Sequence, residues 1–198
     1  MDFVKKHLGW IIVGIIVVVL IMWGATGYNS FVSLDETAQG KWADLETQYQ
    51  RRSDLIPNLV NTVKGYAEHE QETLEEVVKA RAEATSVDVD PSNITPEELA
   101  QYQKAQDKIS SALSRLLVVV EKYPDLKANQ NFLELQSQLE GTENRIAVAR
   151  RDYNEAAKEY NTTIRRFPKK VIASVCGFEK KAYFEASEGA ETAPEVVF

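Results

Sequence analysis

The chain has 198 residues, with 23 Lys and Arg against 30 Asp and Glu and a formal net charge of −7. This balance excludes a phosphate-backbone binder, which needs a basic face, and argues against a body that docks tightly on anionic lipid. The single cysteine, Cys176, excludes an internal disulfide and reads as a small buried apolar residue, since no His or Asp stands near it in sequence to activate it.

The first element is Leu8 to Ala25, an uncharged run bracketed by Trp10 and Trp23 and followed by Tyr28. At 1.5 Å per helical residue it reaches about 27 Å, close to a bilayer core. It is longer than the h-region of a cleaved signal peptide, and its aromatic residues sit where two headgroup belts would hold them. We therefore expect an uncleaved membrane helix over 8–25, preceded by a short tail over 1–7. Leu8, Trp10, Trp23, Ala25 and Tyr28 are its anchoring residues. Lys5 and Lys6 precede the run, whereas Tyr28 to Gly40 holds no Lys or Arg. The positive-inside rule then favours a periplasmic body on a bacterial inner membrane, with a cytoplasmic body as the alternative that Lys41, Arg51 and Arg52 keep open.

From Tyr28 to Ser86 the apolar residues Phe31, Leu34, Ala38, Trp42, Leu45, Tyr49, Ile56, Leu59 and Val63 recur at helical spacing, a seam that is first of all core. Pro57 interrupts it, as either a kink or a helix-to-helix junction. Trp42, Arg51, Arg52, Asp54 and Asn58 around that break are the candidate contact residues. Thr85 to Thr95 reads as a loop, and its aspartates lack the glycine and the acidic last position of a calcium loop. Thr95-Pro96-Glu97-Glu98 reads as a capped helix start. The helix it opens carries Leu99, Tyr102, Gln106, Ile109, Leu113, Leu116 and Val120, a heptad seam with one polar member, Gln106, and stops before Pro124. A third long helix is expected over Lys127–Phe167. There Arg150, Arg151, Arg165 and Arg166 alternate with acids and read as an ion-paired solvated face. Val171–Ala186 is expected to fold back as a packed turn or short helix, and 187–198 to be a flexible tail.

Helix lengths estimated from the rise per residue, roughly 88, 42 and 61 Å, do not match end to end. Either the first helix folds at Pro57, or part of its seam stays uncovered and takes a partner. The second case predicts a homo-oligomer. No catalytic constellation is present: His69 has no second histidine one helical turn on, and no phosphate loop, GxSxG or CxxC occurs. No cofactor, metal or nucleic acid is expected.

LDETAQGKWADLETQYQRRSDLIPNLVNTVKGYAEHE (34–70), with Gly27-Tyr28-Asn29 before it and NRIAVARRDYNEAAKEYNTTIRRFP (144–168), Gly177-Phe178 and Tyr183-Phe184-Glu185 after it, resembles the bacterial LemA family. The resemblance implies a single N-terminal span and a helical bundle over 28–186, and it transfers no catalytic residue. Members of that family keep genomic company with membrane proteases and other envelope factors, so the resemblance also implies a role in membrane or envelope maintenance. The expectation is an all-α protein: a transmembrane helix followed by an elongated antiparallel bundle of three to four long helices. Its expected function is a membrane-anchored scaffold that self-assembles and binds other envelope components, not an enzyme. A small-complex adaptor of a membrane protease is the alternative.

Overall fold

The computed structural model describes residues 2–67 and 69–185, and within them every element is helical. The six helices are α1 (Asp2–Lys64), α2 (Gln71–Ser86), α3 (Pro96–Val120), α4 (Pro124–Lys127), α5 (Gln130–Arg165) and α6 (Lys169–Cys176). The expected all-α architecture is what the chain adopts, and helix continues upstream of Leu8 to Asp2. The tail 187–198 and Ala186 lie outside the described residues.

α1 runs unbroken through the apolar stretch and through Pro57. Its described side chains from Gly9 to Met22 have no protein cover, and it is the one described helix long and apolar enough to cross a membrane, with a mean hydropathy of 2.4 over eighteen residues. Pro57 cannot donate to the carbonyl of Ser53, its partner one turn back. The Nε–H of Arg81, on α2, takes that place and donates to Ser53 O at 2.8 Å. The orphaned carbonyl is satisfied from outside the helix, so there is no junction at Pro57. The chain turns back instead at Gly65–Glu70, where Ala67 is buried, the exposed Tyr66 hydroxyl accepts from Asn129 and Glu70 accepts from the Tyr123 hydroxyl. His69 is exposed in this turn, not on a helix face.

The chain divides into two compact units. The first comprises Met1–Gln39 and Glu155–Lys181. Its core joins Phe31 of α1, Tyr160 and Ile164 of α5, and Ala173 of α6, with Leu34, Ile172 and Phe178 packed around them. Two glycines shape it. A Cβ on Gly27 would stand 2.8 Å from Ile172 Cδ1, so the end of the Ile172 side chain packs directly on the bare α1 backbone there. Gly177 ends α6 at φ 75°, a left-handed cap that swings Phe178 onto the rings of Tyr28 and Phe31 at 5.5 and 5.2 Å. Cys176 is exposed on α6, not buried as its apolar neighbours suggest: the helix is short, and Ile172 and Ala173 already supply the side it packs with.

The second unit comprises Gly40–Asn154 and Ala182–Phe198. Ile56, Leu59 and Val63 of α1 form one core with Leu74 and Val77 of α2, Ile109, Leu113 and Leu116 of α3, and Phe132 and Leu139 of α5. α3 opens on the expected capping box: Glu98 N–H donates to Thr95 Oγ1, and Thr95 N–H to Glu98 Oε2. Ion pairs Glu76–Arg115 and Glu83–Lys108, both at 2.6 Å, tie α2 to α3 at their surface.

Helix lengths alone predict a seam left bare or a fold at Pro57, and neither holds. Phe31, Ala38, Trp42, Leu45 and Tyr49 are at most 4% exposed within the single chain. In the first unit Phe31 is covered by Tyr160 and Ile164 of α5, Ala173 of α6 and Phe178. In the second, Trp42 and Tyr49 meet Tyr102 of α3, and Trp42 also meets Tyr153 of α5 and Phe184 of a segment that is not helical, 178–185. That segment is extended, against the expected packed turn or short helix, and its main chain is held by side-chain amides. In the first unit Asn161 binds both the N–H and the C=O of Lys181. In the second, Asn154 does the same for Phe184 and Gln103 for Glu185, while the Tyr153 hydroxyl donates to Ala182 O. These amides stand in for a neighbouring strand and satisfy the main chain of a segment that is not helical.

Candidate interaction surface

The candidate contact residues separate into an inside and an outside. Trp42 is buried at the centre of an aromatic cluster, with Phe184 stacked at 5.7 Å and Tyr102 and Tyr153 at 5.5 and 5.4 Å. Arg52 is fully buried, so it contributes nothing to a contact surface. Its guanidinium donates to Gln106 Oε1 at 2.7 Å, Gln106 O at 3.1 Å, and Ser110 Oγ and Glu143 Oε1 at 2.8 Å each. Gln106, the one polar member of the α3 seam, is therefore the acceptor that a buried arginine requires. Arg150 makes the companion contact. The sequence places it on a solvated face, but its side chain is 18% exposed and donates to the Tyr49 hydroxyl at 2.6 Å and to Asp107 at 2.8 Å. Both guanidiniums lie over the Tyr49 ring, at 5.3 and 5.6 Å from its centre. Burial raises the Tyr49 phenol above its ordinary range, against the opposing pull of Arg150. Burial likewise raises Tyr102, so both remain neutral through the physiological range. Arg151, by contrast, is solvated and paired with Asp152.

Arg51, Asp54 and Asn58 remain outside, one helical turn apart along an exposed stripe of α1. Asp54 accepts from Gln50, and the main chain of Asn58 accepts from the Thr62 hydroxyl. Both of these bonds stay within α1, so the three residues form a polar stripe and not a pocket. Of the anchoring residues, Trp10 and Tyr28 are 79% and 46% exposed, Trp23 and Ala25 are also exposed, and the Leu8 side chain lies outside the described residues.

A concave surface missed by the sequence reading lies beside this stripe. Lys41, Asp44 and Gln48 of α1 and Asn144, Arg145 and Val148 of α5 line an open groove of about 320 Å³. Lys41 pairs with Asp44 across one helical turn at 3.6 Å. Val148 shows nearly half its surface. Gln48 Oε1 is buried and accepts no hydrogen bond, an uncommon state for a polar atom. The arrangement offers an open trough with charged rims and an exposed apolar residue, Val148. Among the described residues no group of three or more His, Cys, Asp or Glu stands close enough to hold a metal.

Residues 41–198 match the model of the LemA family. The chain is also similar to the magnetosome proteins MamQ 1 and MamQ 2 of Paramagnetospirillum magneticum, 29% identical over 184 residues that cover 83% of this chain and 67% of each relative. It is 28% identical to Protein LemA of Metamycoplasma hominis over 144 residues, 73% of this chain and 62% of that protein.

Proposed function

From a chain that belongs to the LemA family, and whose apolar helix continues as the first helix of its bundle, we propose a membrane-anchored helical scaffold that binds other envelope proteins, further copies of itself included. The apolar part of α1 holds the body at a bilayer, and the body acts by contact, not by turnover. The observation that carries this reading is the open α1–α5 groove, rimmed by Lys41, Asp44 and Arg145 and exposing Val148.

The covered seam bears on the choice between assembly and adaptor. One chain buries its own Phe31–Tyr49 stripe, so no second copy is needed to complete the core. That favours, as a second reading, a small complex with an unlike chain such as a membrane protease. The full-length protein extracted in detergent decides between them. A particle of several chains that falls to one chain with Val148→Arg supports self-assembly through the groove. A single chain that photocrosslinks from position 148 to an unlike membrane protein supports the adaptor. A single chain with no crosslinked partner from that position overturns the groove as the working surface.

A further inference from the structure

We propose that the segment Arg165–Cys176 is a second membrane contact, a basic and apolar foot that rests in the headgroup layer of an anionic bilayer beside the α1 span. The inference rests on the reading of α1 as a membrane helix and concerns the first unit alone.

Height along α1 comes first. Ile172 meets α1 at Gly27, Phe178 meets Tyr28, and Lys169 Nζ donates to Ser30 Oγ at 3.3 Å. Gly27 lies two residues past Ala25, where the apolar run ends, an axial step of about 3 Å. The polar layer on each side of a bilayer core is several ångströms deep, so α6 is seated within it.

Surface chemistry points the same way. α6 turns Ile172 and Ala173 inward. Outward it leaves Val171 and Val175 at 55% and 83% exposure, and Phe167 just before it at 87%. An unshielded phenylalanine with two valines, directly beside a membrane helix, has the composition of an interfacial element.

Charge agrees with both. From Tyr160 to Phe178 the chain holds Arg165, Arg166, Lys169 and Lys170 and not one Asp or Glu, although the whole protein is acidic. Arg165, Arg166 and Lys170 are exposed, and Lys169 is turned inward over the Phe31 ring. The whole-chain balance conceals this local excess, which suits the anionic headgroups that basic residues near a membrane surface attract.

The test uses full-length protein in nanodiscs containing phosphatidylglycerol. With Cys176→Ser removing the native thiol, a polarity-sensitive dye is placed at Val175→Cys, at Ile16→Cys in the span, or at Val118→Cys, an exposed position of the second unit. Lipids carrying a spin-label quencher at interfacial depth should quench position 175 at least about two-fold more than position 118. The added pair Arg165→Glu and Arg166→Glu should abolish that difference while helical circular dichroism is unchanged. Position 16 reads the span with a quencher at the bilayer centre. Quenching there without quenching at 175 overturns the foot and leaves the anchor intact. No quenching at 16 overturns the anchor, and the foot with it. Quenching at 175 that the Arg165 and Arg166 substitutions leave unchanged overturns the electrostatic contact proposed here.

Discussion

Replacing Arg52 by methionine removes a cation that makes four hydrogen bonds while fully buried. Removing one member of a fully buried ion pair costs about 3–5 kcal/mol, because the other charge is stranded. Here the partner, Glu143, keeps 36% of its side chain in water and is resolvated when Arg52 leaves. What remains bare is Gln106, at 5% exposure, whose side-chain oxygen loses its donor. That deficit costs about 1–3 kcal/mol. Arg52 Nε has no partner in the folded state, so its removal returns part of the loss. The expected net is destabilisation by about 1–2 kcal/mol, or roughly 2–8 °C in the apparent midpoint for a chain of this size. Circular dichroism melts of the full-length protein in detergent measure it. Adding Gln106→Leu to Arg52→Met should recover most of the deficit, since an apolar pair of similar volume replaces a buried polar one at little cost. Glu143→Gln alone leaves the fully buried Arg52 cation without its counter-charge and should cost at least as much as Arg52→Met. A midpoint for Arg52→Met within a degree of wild type, or a double variant worse than both single ones, would refute the account.

Pro57→Ala restores the donor that Arg81 replaces at Ser53 O, so Arg81→Met should cost about 1 kcal/mol with Pro57 present and markedly less in the Pro57→Ala background, measured as a double-mutant cycle on melting midpoints. Asn154→Ala strips both polar groups of Phe184 of their partner and should destabilise by about 1–3 kcal/mol, with faster hydrogen exchange at the Phe184 amide as the local readout. Burial, with Asp35 and Glu179 nearby, pushes the Tyr160 phenol up to about 12. Its folded value lies above that of the unfolded chain, near 10. The stability it contributes is therefore complete below that lower value and lost as pH rises through the higher one. Tyr160→Phe should flatten this alkaline loss, and an unchanged pH profile of melting midpoints would remove Tyr160 as its source.

Helix periodicity made most of the fold legible, because an apolar residue every three or four positions has one physical meaning over thirty residues. The α1 seam and the Thr95 cap of α3 are direct readings of that kind. What failed was anything decided by a distant donor. Pro57 is a break in one dimension, and only Arg81, on the next helix, makes it tolerable. Gln106 carried a usable signal, since a polar residue in a strict heptad seam requires a buried partner, but nothing along the chain marked Arg52, read as a contact residue, as that partner. The 178–185 segment carried none, since its extended form depends on Asn154, Asn161 and Gln103, which individually look like ordinary polar positions on helices.

Charge shows the same limit on a larger scale. Counted along the chain, Lys5 and Lys6 face a body side that begins with no Lys or Arg before Lys41. Folding returns Arg165, Arg166, Lys169 and Lys170 to the foot of α1 through the contact of Ile172 with Gly27. A rule that counts charge by sequence distance from a span omits residues brought there by tertiary packing, although a lipid headgroup responds to distance in space. The two family-like glycine motifs acquire a physical reason on the same ground. Gly27 receives the tip of Ile172 on its bare backbone, and Gly177 turns the chain so that Phe178 closes over Tyr28.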